Sequence, residues 1–324
     1  MEAAICNLFR KDETVITVNG GKFGERWGKL AQTYGLRPIE VRVDRGKAVS
    51  IEQLRTSCEA HPHAKAILFQ ASETSTGVAM PTEAICKLAT EKNMLSVCDA
   101  ITALGVVDLP MDAWGIDVLM TGSQKALMIP PGLAFIALSD RAWRSATLSD
   151  LPKFYLDLKR ELKAQVKNQT AWTPATSLIQ GLHEAIRLLR EEGLAAIFAR
   201  HHELARATRA GVKALGLKIL AEDAPSNAVT GVWVPPSIAD GKLIVRRMRD
   251  KYGVSIAGGQ DELEGKIFRL SHFGYCGPFD ITTGLSCLEL VLHELGHNFQ
   301  LGQGVGAALQ VFAEKNSKEK RLNE

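Results

Sequence analysis

The chain reads as an α/β protein, with a mostly parallel sheet covered by helices on both faces and a smaller C-terminal α+β domain. Three observations lead there. Short apolar runs of strand length recur between Thr14 and Leu138, and amphipathic stretches of helical period separate several of them. Beyond Thr173-Pro174 the rhythm changes to one long helical stretch, followed by strand, helix, strand and helix.

In order, the predicted strands of the first region are residues 14–18, 39–43, 66–69, 95–98, 117–120 and 133–138. Helices are predicted over 51–61 and 81–93, the second opening with Pro81 in its first turn. Strands alternating with helices favour a parallel sheet whose ligands sit at the carboxyl ends of the strands. The long helix is predicted over 176–210, then strand character over 217–220 and 229–234, a helix over 241–252, a strand over 266–271 and a helix over 281–295. The domain reading is 1–191 for the large α/β domain, 192–316 for the small one, and 317–324 for a charged tail without an apolar face, expected to fray.

Composition narrows the function. With 46% hydrophobic and 23% charged residues in 324, the chain can bury a sizeable core. A net charge of +3, with basic and acidic residues interleaved, indicates neither a nucleic-acid nor a membrane surface, so small-molecule ligands are expected. The six cysteines form no CxxC pair and mostly sit in apolar runs, which reads as reduced thiols in the cytoplasm. No apolar stretch reaches the ~18 residues needed to cross a bilayer, and the first residues lack the order of a signal peptide.

Chemistry concentrates between Leu95 and Phe135. Asp99 ends an apolar strand, and Lys125 follows the next strand within Thr121-Gly122-Ser123-Gln124-Lys125, ahead of Pro130-Pro131-Gly132. Both are thereby placed at one sheet edge. A lysine at a buried strand end loses solvation of its ammonium form, which makes it a better nucleophile for Schiff-base chemistry. A buried aspartate can keep the ring nitrogen of pyridoxal 5'-phosphate (PLP) protonated, so that the ring withdraws electrons. Taken singly, Asp99 reads more simply as a cap and Lys125 as a surface residue.

Val97-Cys98-Asp99-Ala100, then the run from Gly115 to Leu127, then Pro130-Pro131-Gly132, resemble the core of the class V aminotransferases, above all the alanine–glyoxylate and serine–pyruvate enzymes. The resemblance covers nearly the whole chain. It implies the PLP-dependent transferase fold type I, a homodimer with its site at the interface, and exchange of an amino group between a small amino acid (alanine or serine) and a small 2-oxo acid (glyoxylate or pyruvate). It also implies that Lys125 carries the cofactor as a Schiff base and shuttles the substrate's α-proton, with Asp99 on the ring nitrogen and Ile101 beside it. Phe23 matches the aromatic that stacks on the ring, Thr74 a hydroxyl beside the ring oxygen, and Gln124 a phosphate ligand. Thr173, or its neighbour Thr170, matches a hydroxyl lent to the phosphate by the other subunit. Arg269, in an apolar strand where an unpaired cation is costly, matches the arginine that grips the substrate carboxylate. Family members carry further residues, including a Ser-Gly-Thr or Ser-Gly-His loop, ahead of the helix that residues 2–9 resemble. The resemblance thus implies a chain short of the family's N-terminal segment.

Rival readings remain. His293-Glu294-Leu295-Gly296-His297 fits the H-E-x-x-H pattern of a zinc hydrolase, although Gly296 follows at once with helix-ending character. A non-catalytic subunit that keeps the PLP fold is another, and no cysteine cluster suits nickel or an iron–sulfur centre. A desulfurase-like or lyase reaction is the alternative within PLP chemistry, but no mobile cysteine loop is found near the end of the chain.

Overall fold

The computed structural model describes residues 1–323, without the side chains of 315–323. Six strands build the main sheet: β1 (Thr14–Asn19), β2 (Arg37–Arg42), β3 (Ala66–Gln70), β6 (Leu95–Asp99), β7 (Val118–Gly122) and β8 (Ala134–Leu138). Between β3 and β6 lies a small hairpin, β4 (Ser72–Glu73) with β5 (Val78–Ala79). The main sheet has the order β2-β1-β3-β6-β7-β8, all parallel except the antiparallel edge pair β7/β8. The central strands β3, β6 and β7 are buried at every position, which explains their nearly continuous apolar sequence.

One face of the sheet packs on α1 (Glu2–Leu8), α2 (Lys22–Thr33) and α6 (Asp140–Leu148). The other is covered by α3 (Ile51–Ala60), α4 (Thr82–Glu91) and the short α5 (Met111–Trp114). Helix α2 shows how sequence sets the approach. Its buried stripe is Gly24, Trp27, Gly28 and Ala31, spaced for one helical face, and a Cβ on Gly24 would stand 2.5 Å from the Val18 carbonyl. Only glycine lets the helix start so close to the end of β1.

Helix α7 (Leu158–Gln165), which sequence periodicity did not indicate, leads to α8 (Thr176–Glu192) and α9 (Leu194–Ala214). The single helix expected over 176–210 is thus two. Gly193 separates them with φ of +82°, a conformation that ends a helix and that glycine adopts freely. The small domain is a three-stranded antiparallel sheet, β9 (Val229–Trp233), β10 (Ala257–Gly258) and β11 (Ile267–Ser271) in the order β10-β11-β9, packed with α10 (Lys242–Tyr252), α11 (Pro278–Glu294) and α12 (Gln303–Asn323). The strand expected at 217–220 is a single bridge, Ile219 to Val232, because the turn at Gly216 and the bends from Leu220 onward leave too few residues to extend it. Helix α12 continues into residues 317–323, where a frayed tail was expected. No helix among the described residues is long and apolar enough to cross a membrane.

Candidate active site

The carboxyl ends of β1, β3, β6 and β7 converge on one edge. Asp99 closes β6 and is 5% exposed. Its Oδ1 accepts the Ile101 N–H at 2.8 Å, which gives Ile101 a backbone role at the site. Burial, the largest influence, pushes the Asp99 carboxyl up to about 6.

Lys125 sits in the loop between β7 and β8. Ser123 ties that loop: its Oγ donates to the Pro130 carbonyl at 2.8 Å and accepts the Leu133 N–H at 3.2 Å. Burial depresses the pKa of the Lys125 ammonium; Arg269 depresses it further, while the charge of Asp99 works in the opposite direction. Both Arg269 and Asp99 are thus close enough for their charges to act on Lys125. The face of Phe273 lies 5.7 Å from Lys125 Nζ.

Thr74 occupies the turn of the β4/β5 hairpin, where its Oγ1 shares a 2.6 Å hydrogen bond with Thr102 Oγ1. That turn meets the small domain glycine to backbone. A Cβ on Gly77, which has φ of +77°, would stand 2.9 Å from Gly231 N, and one on Gly231 would stand 2.7 Å from the Thr76 carbonyl. Because Gly231 pairs with Arg269 across β9/β11, this contact delivers the guanidinium to the hairpin. Arg269 is 9% exposed; its Nε donates to Gly258 O and its Nη1 to Thr74 O, both at 2.9 Å. No carboxylate pairs with it among the described residues. Burial lowers its pKa, and the charge of Glu73 offsets part of that.

Phe23 lies in the first turn of α2, half-buried, with the Arg26 guanidinium 5.0 Å from its ring centroid. Gln124 is exposed beside Lys125. Thr173 and Thr170 lie on an exposed loop before α8; Thr170 bonds to Trp172, whose ring stacks near Tyr155. Neither threonine bonds to the Asp99–Lys125 edge of its own chain among the described residues.

Sequence reasoning passed over Glu73, Gln70 and Phe273. Glu73 carried a weak signal, as an acid three residues beyond the apolar strand β3, within a run of hydroxyl residues. Gln70 pairs with Asp99 in strand register, and both ends of its buried amide lack a hydrogen-bond partner among the described residues.

The H-E-x-x-H pattern does not form a metal site. Gly296, with φ of +80°, ends α11 before His297, and His297 spends Nδ1 on Ser237 Oγ at 3.1 Å and Nε2 on the Leu215 carbonyl at 2.9 Å. Glu294 is held by Lys251, Tyr252 and Arg247. The zinc-hydrolase reading is therefore set aside, and no grouping of metal-binding side chains occurs among the described residues.

A mostly parallel sheet covered by helices on both faces, with a smaller α+β domain behind it, is the fold of the PLP-dependent transferases of fold type I. The model of the class-V aminotransferases matches residues 1–262. The chain belongs to that family. Among its relatives, a protein named the small subunit of a soluble hydrogenase from Synechococcus sp. is 41% identical over 97% of this chain and 82% of its own length. Serine–glyoxylate aminotransferase of Arabidopsis thaliana is 34% identical over 95% of this chain and 78% of its own. The crystal structure of pyridoxamine–pyruvate aminotransferase from Mesorhizobium loti superposes with a TM-score of 0.92 at 29% identity, covering 97% of this chain and 81% of that one.

Proposed function

We propose that this aminotransferase carries PLP on Lys125 and moves an amino group between a small amino acid, such as alanine or serine, and a small 2-oxo acid, such as glyoxylate or pyruvate. The observation that carries the reading is that Asp99, buried at the end of β6, and Lys125, on the loop after the neighbouring parallel strand β7, stand at the same edge of the sheet. The residues suit the cofactor. Among the described residues Asp99 has one oxygen bound to Ile101 N and the other uncommitted, and the orphaned amide of Gln70 lies beside it in the sheet. Phe23 supplies a flat face, Thr74 and Thr102 a pair of hydroxyls, and Gln124 an amide; Thr173 is assigned to the phosphate of a second copy.

When bound, the cofactor's protonated ring draws electrons from the substrate's Cα. Asp99 keeps the proton on the ring nitrogen. Lys125 would hold the cofactor, and its Nζ would accept the Cα proton and give it back as general acid. Arg269 holds the substrate carboxylate, its inner N–H groups fixed by Gly258 O and Thr74 O so that the rest of the fork is pre-aimed. Small substrates are favoured because the relatives named for serine, alanine and glyoxylate act on such molecules by name.

A homodimer belongs to the same reading. Helix α8 has no residue buried within the chain and exposes Ile179, Ile186 and Leu188, and the Thr173 loop precedes it. The six free cysteines support a cytoplasmic location, and we assign 1–191 and 192–316 to the two domains.

The test is Lys125→Ala, assayed with alanine and serine as donors and glyoxylate and pyruvate as acceptors. Loss of turnover, with circular dichroism unchanged, is expected. Normal turnover in that variant would exclude the assigned mechanism; a wild-type chain that takes up PLP but turns over none of these pairs would favour a subunit kept for assembly.

A further inference from the structure

Glu73 is wholly buried, yet no lysine or arginine pairs with it among the described residues. Four donors converge on its carboxylate instead. Oε2 accepts the Gly24 N–H at 2.9 Å; Oε1 accepts the Ser75 Oγ–H at 2.5 Å, the Ser75 N–H at 3.1 Å and the Phe23 N–H at 3.4 Å. Ser75 Oγ in turn accepts the Lys22 N–H at 3.0 Å. The first three amides of α2 are thus bound to two side chains of the hairpin, and Gly21 stays a glycine because a Cβ there would overlap the Ser75 hydroxyl and the Glu73 carboxyl. A carboxylate is the acceptor that suits several N–H donors and the positive end of a helix at once.

These bonds join segments that carry different parts of the site. Phe23 is held through its own amide. Thr74 stands between Glu73 and Ser75, and its carbonyl oxygen takes Arg269 Nη1 at 2.9 Å. The negative charge of Glu73 is felt at Arg269, where it favours the guanidinium, and at Asp99, where it favours the protonated carboxyl.

We propose that Glu73 is the positioning residue of this site: its carboxylate fixes the backbone of Phe23 and of the Thr74 turn, so that the stacking ring, the hydroxyl and the arginine keep one mutual geometry. The proposal rests on the PLP reading above. It assigns Glu73 no contact with cofactor or substrate.

The test uses the full chain and the variants Glu73→Gln, Glu73→Asp and Ser75→Ala, with PLP itself as the probe. Glutamine keeps the size but turns an acceptor into a donor facing Gly24 or Ser75; aspartate keeps the charge and shortens the reach; alanine at 75 removes one donor and leaves Glu73 in place. In the cofactor-free protein, hydrogen exchange at the amides of Phe23, Gly24 and Ser75 is expected to speed at least tenfold in Glu73→Gln. With PLP added, its Kd is expected to rise at least tenfold and the visible circular dichroism of the lysine-bound cofactor to fall, with Glu73→Asp and Ser75→Ala intermediate. A Glu73→Gln protein that binds PLP with wild-type Kd and wild-type dichroism overturns the proposal, however much its melting temperature has dropped. Should Glu73→Gln fail to fold, Ser75→Ala decides by the same two readouts. A wild-type chain showing no PLP absorbance beyond that of Lys125→Ala would instead sink the functional reading, and amide exchange would still report whether Glu73 orders the start of α2.

Discussion

Arg269 Nη1 donates to the carbonyl oxygen of Thr74 at 2.9 Å, joining the small sheet to the hairpin of the large domain. With Nε held by Gly258 O, the planar fork is fixed from two directions before any substrate arrives. Lysine has one point charge and no fork, so it cannot satisfy both carbonyls and also meet a carboxylate in two places. Arg269→Lys is expected to lower kcat/KM by about 10²-fold, on the order of 3 kcal/mol, mostly through KM for the amino acid. Steady-state kinetics with alanine, together with the Kd of a substrate-like carboxylate, would check it. A variant that loses kcat but keeps KM would assign the arginine a different task.

Asp99 gives a stability prediction whose sign follows from its burial. A carboxyl raised from 3.8 to about 6 binds its proton more tightly in the folded state than in the unfolded one. The folded state is therefore penalised as pH rises through the unfolded value, and the penalty is complete above the folded value. At full extent it amounts to about 3 kcal/mol. In the cofactor-free protein, Asp99→Asn should raise the melting temperature at pH 7.5, and the gain should vanish near pH 3.5. Thermal scans across that range would show it; an equal gain at both ends would trace to packing rather than charge.

The placement of Asp99 and Lys125 at one sheet edge was legible because it is local. An acid ending a strand and a lysine after the next strand advertise themselves wherever strands are parallel and buried. Glu73 was less legible, because among Ser72, Thr74, Ser75 and Thr76 it reads as part of a polar loop, and only tertiary folding brings the start of α2 over it. Phe273 meets Lys125 across nearly half the chain, a contact that periodicity cannot report. The break between α8 and α9 was available in principle: Gly193 after Glu191-Glu192 is the kind of residue that closes a helix, but apolar periodicity runs on through Leu194 and Ile197 and hides it. The H-E-x-x-H pattern failed for the converse reason, since spacing on paper presumed a helix that Gly296 ends.

That pattern yields its own prediction. His297 links the end of α11 to the Leu215 carbonyl and to Ser237, so its role is to hold the small domain together. His297→Ala should cost about 1 kcal/mol of stability for two partly exposed hydrogen bonds, and leave kcat unchanged. Prolonged dialysis against a chelator should likewise leave turnover intact. Restoration of lost activity by zinc would contradict this account.

Gly274 is where the loop after β11 meets the lysine loop. It has φ of +91°, and a Cβ there would strike the Met128 sulfur, while Met128 itself has φ of +55°. The loop is clamped from α9: Arg200 Nη1 donates to the carbonyls of Gly274 at 2.9 Å and Cys276 at 2.8 Å, and His201 Nε2 accepts the Gly274 N–H at 2.9 Å. Because the clamp fixes one side and Met128 lines the other, an alanine methyl cannot be absorbed by moving the glycine alone. Gly274→Ala should cost about 1–2 kcal/mol in backbone strain and push the Met128 side of the lysine loop away. Since Phe273 precedes Gly274 and faces Lys125, the displacement should also change the solvation of the amine. The rate of reductive methylation at Lys125, followed against pH in the cofactor-free protein, reports that solvation directly. A more hydrated amine should titrate nearer the ordinary lysine value, so the variant should react more slowly than wild type at pH 8; an unchanged profile would show that the loop moves without reaching the lysine.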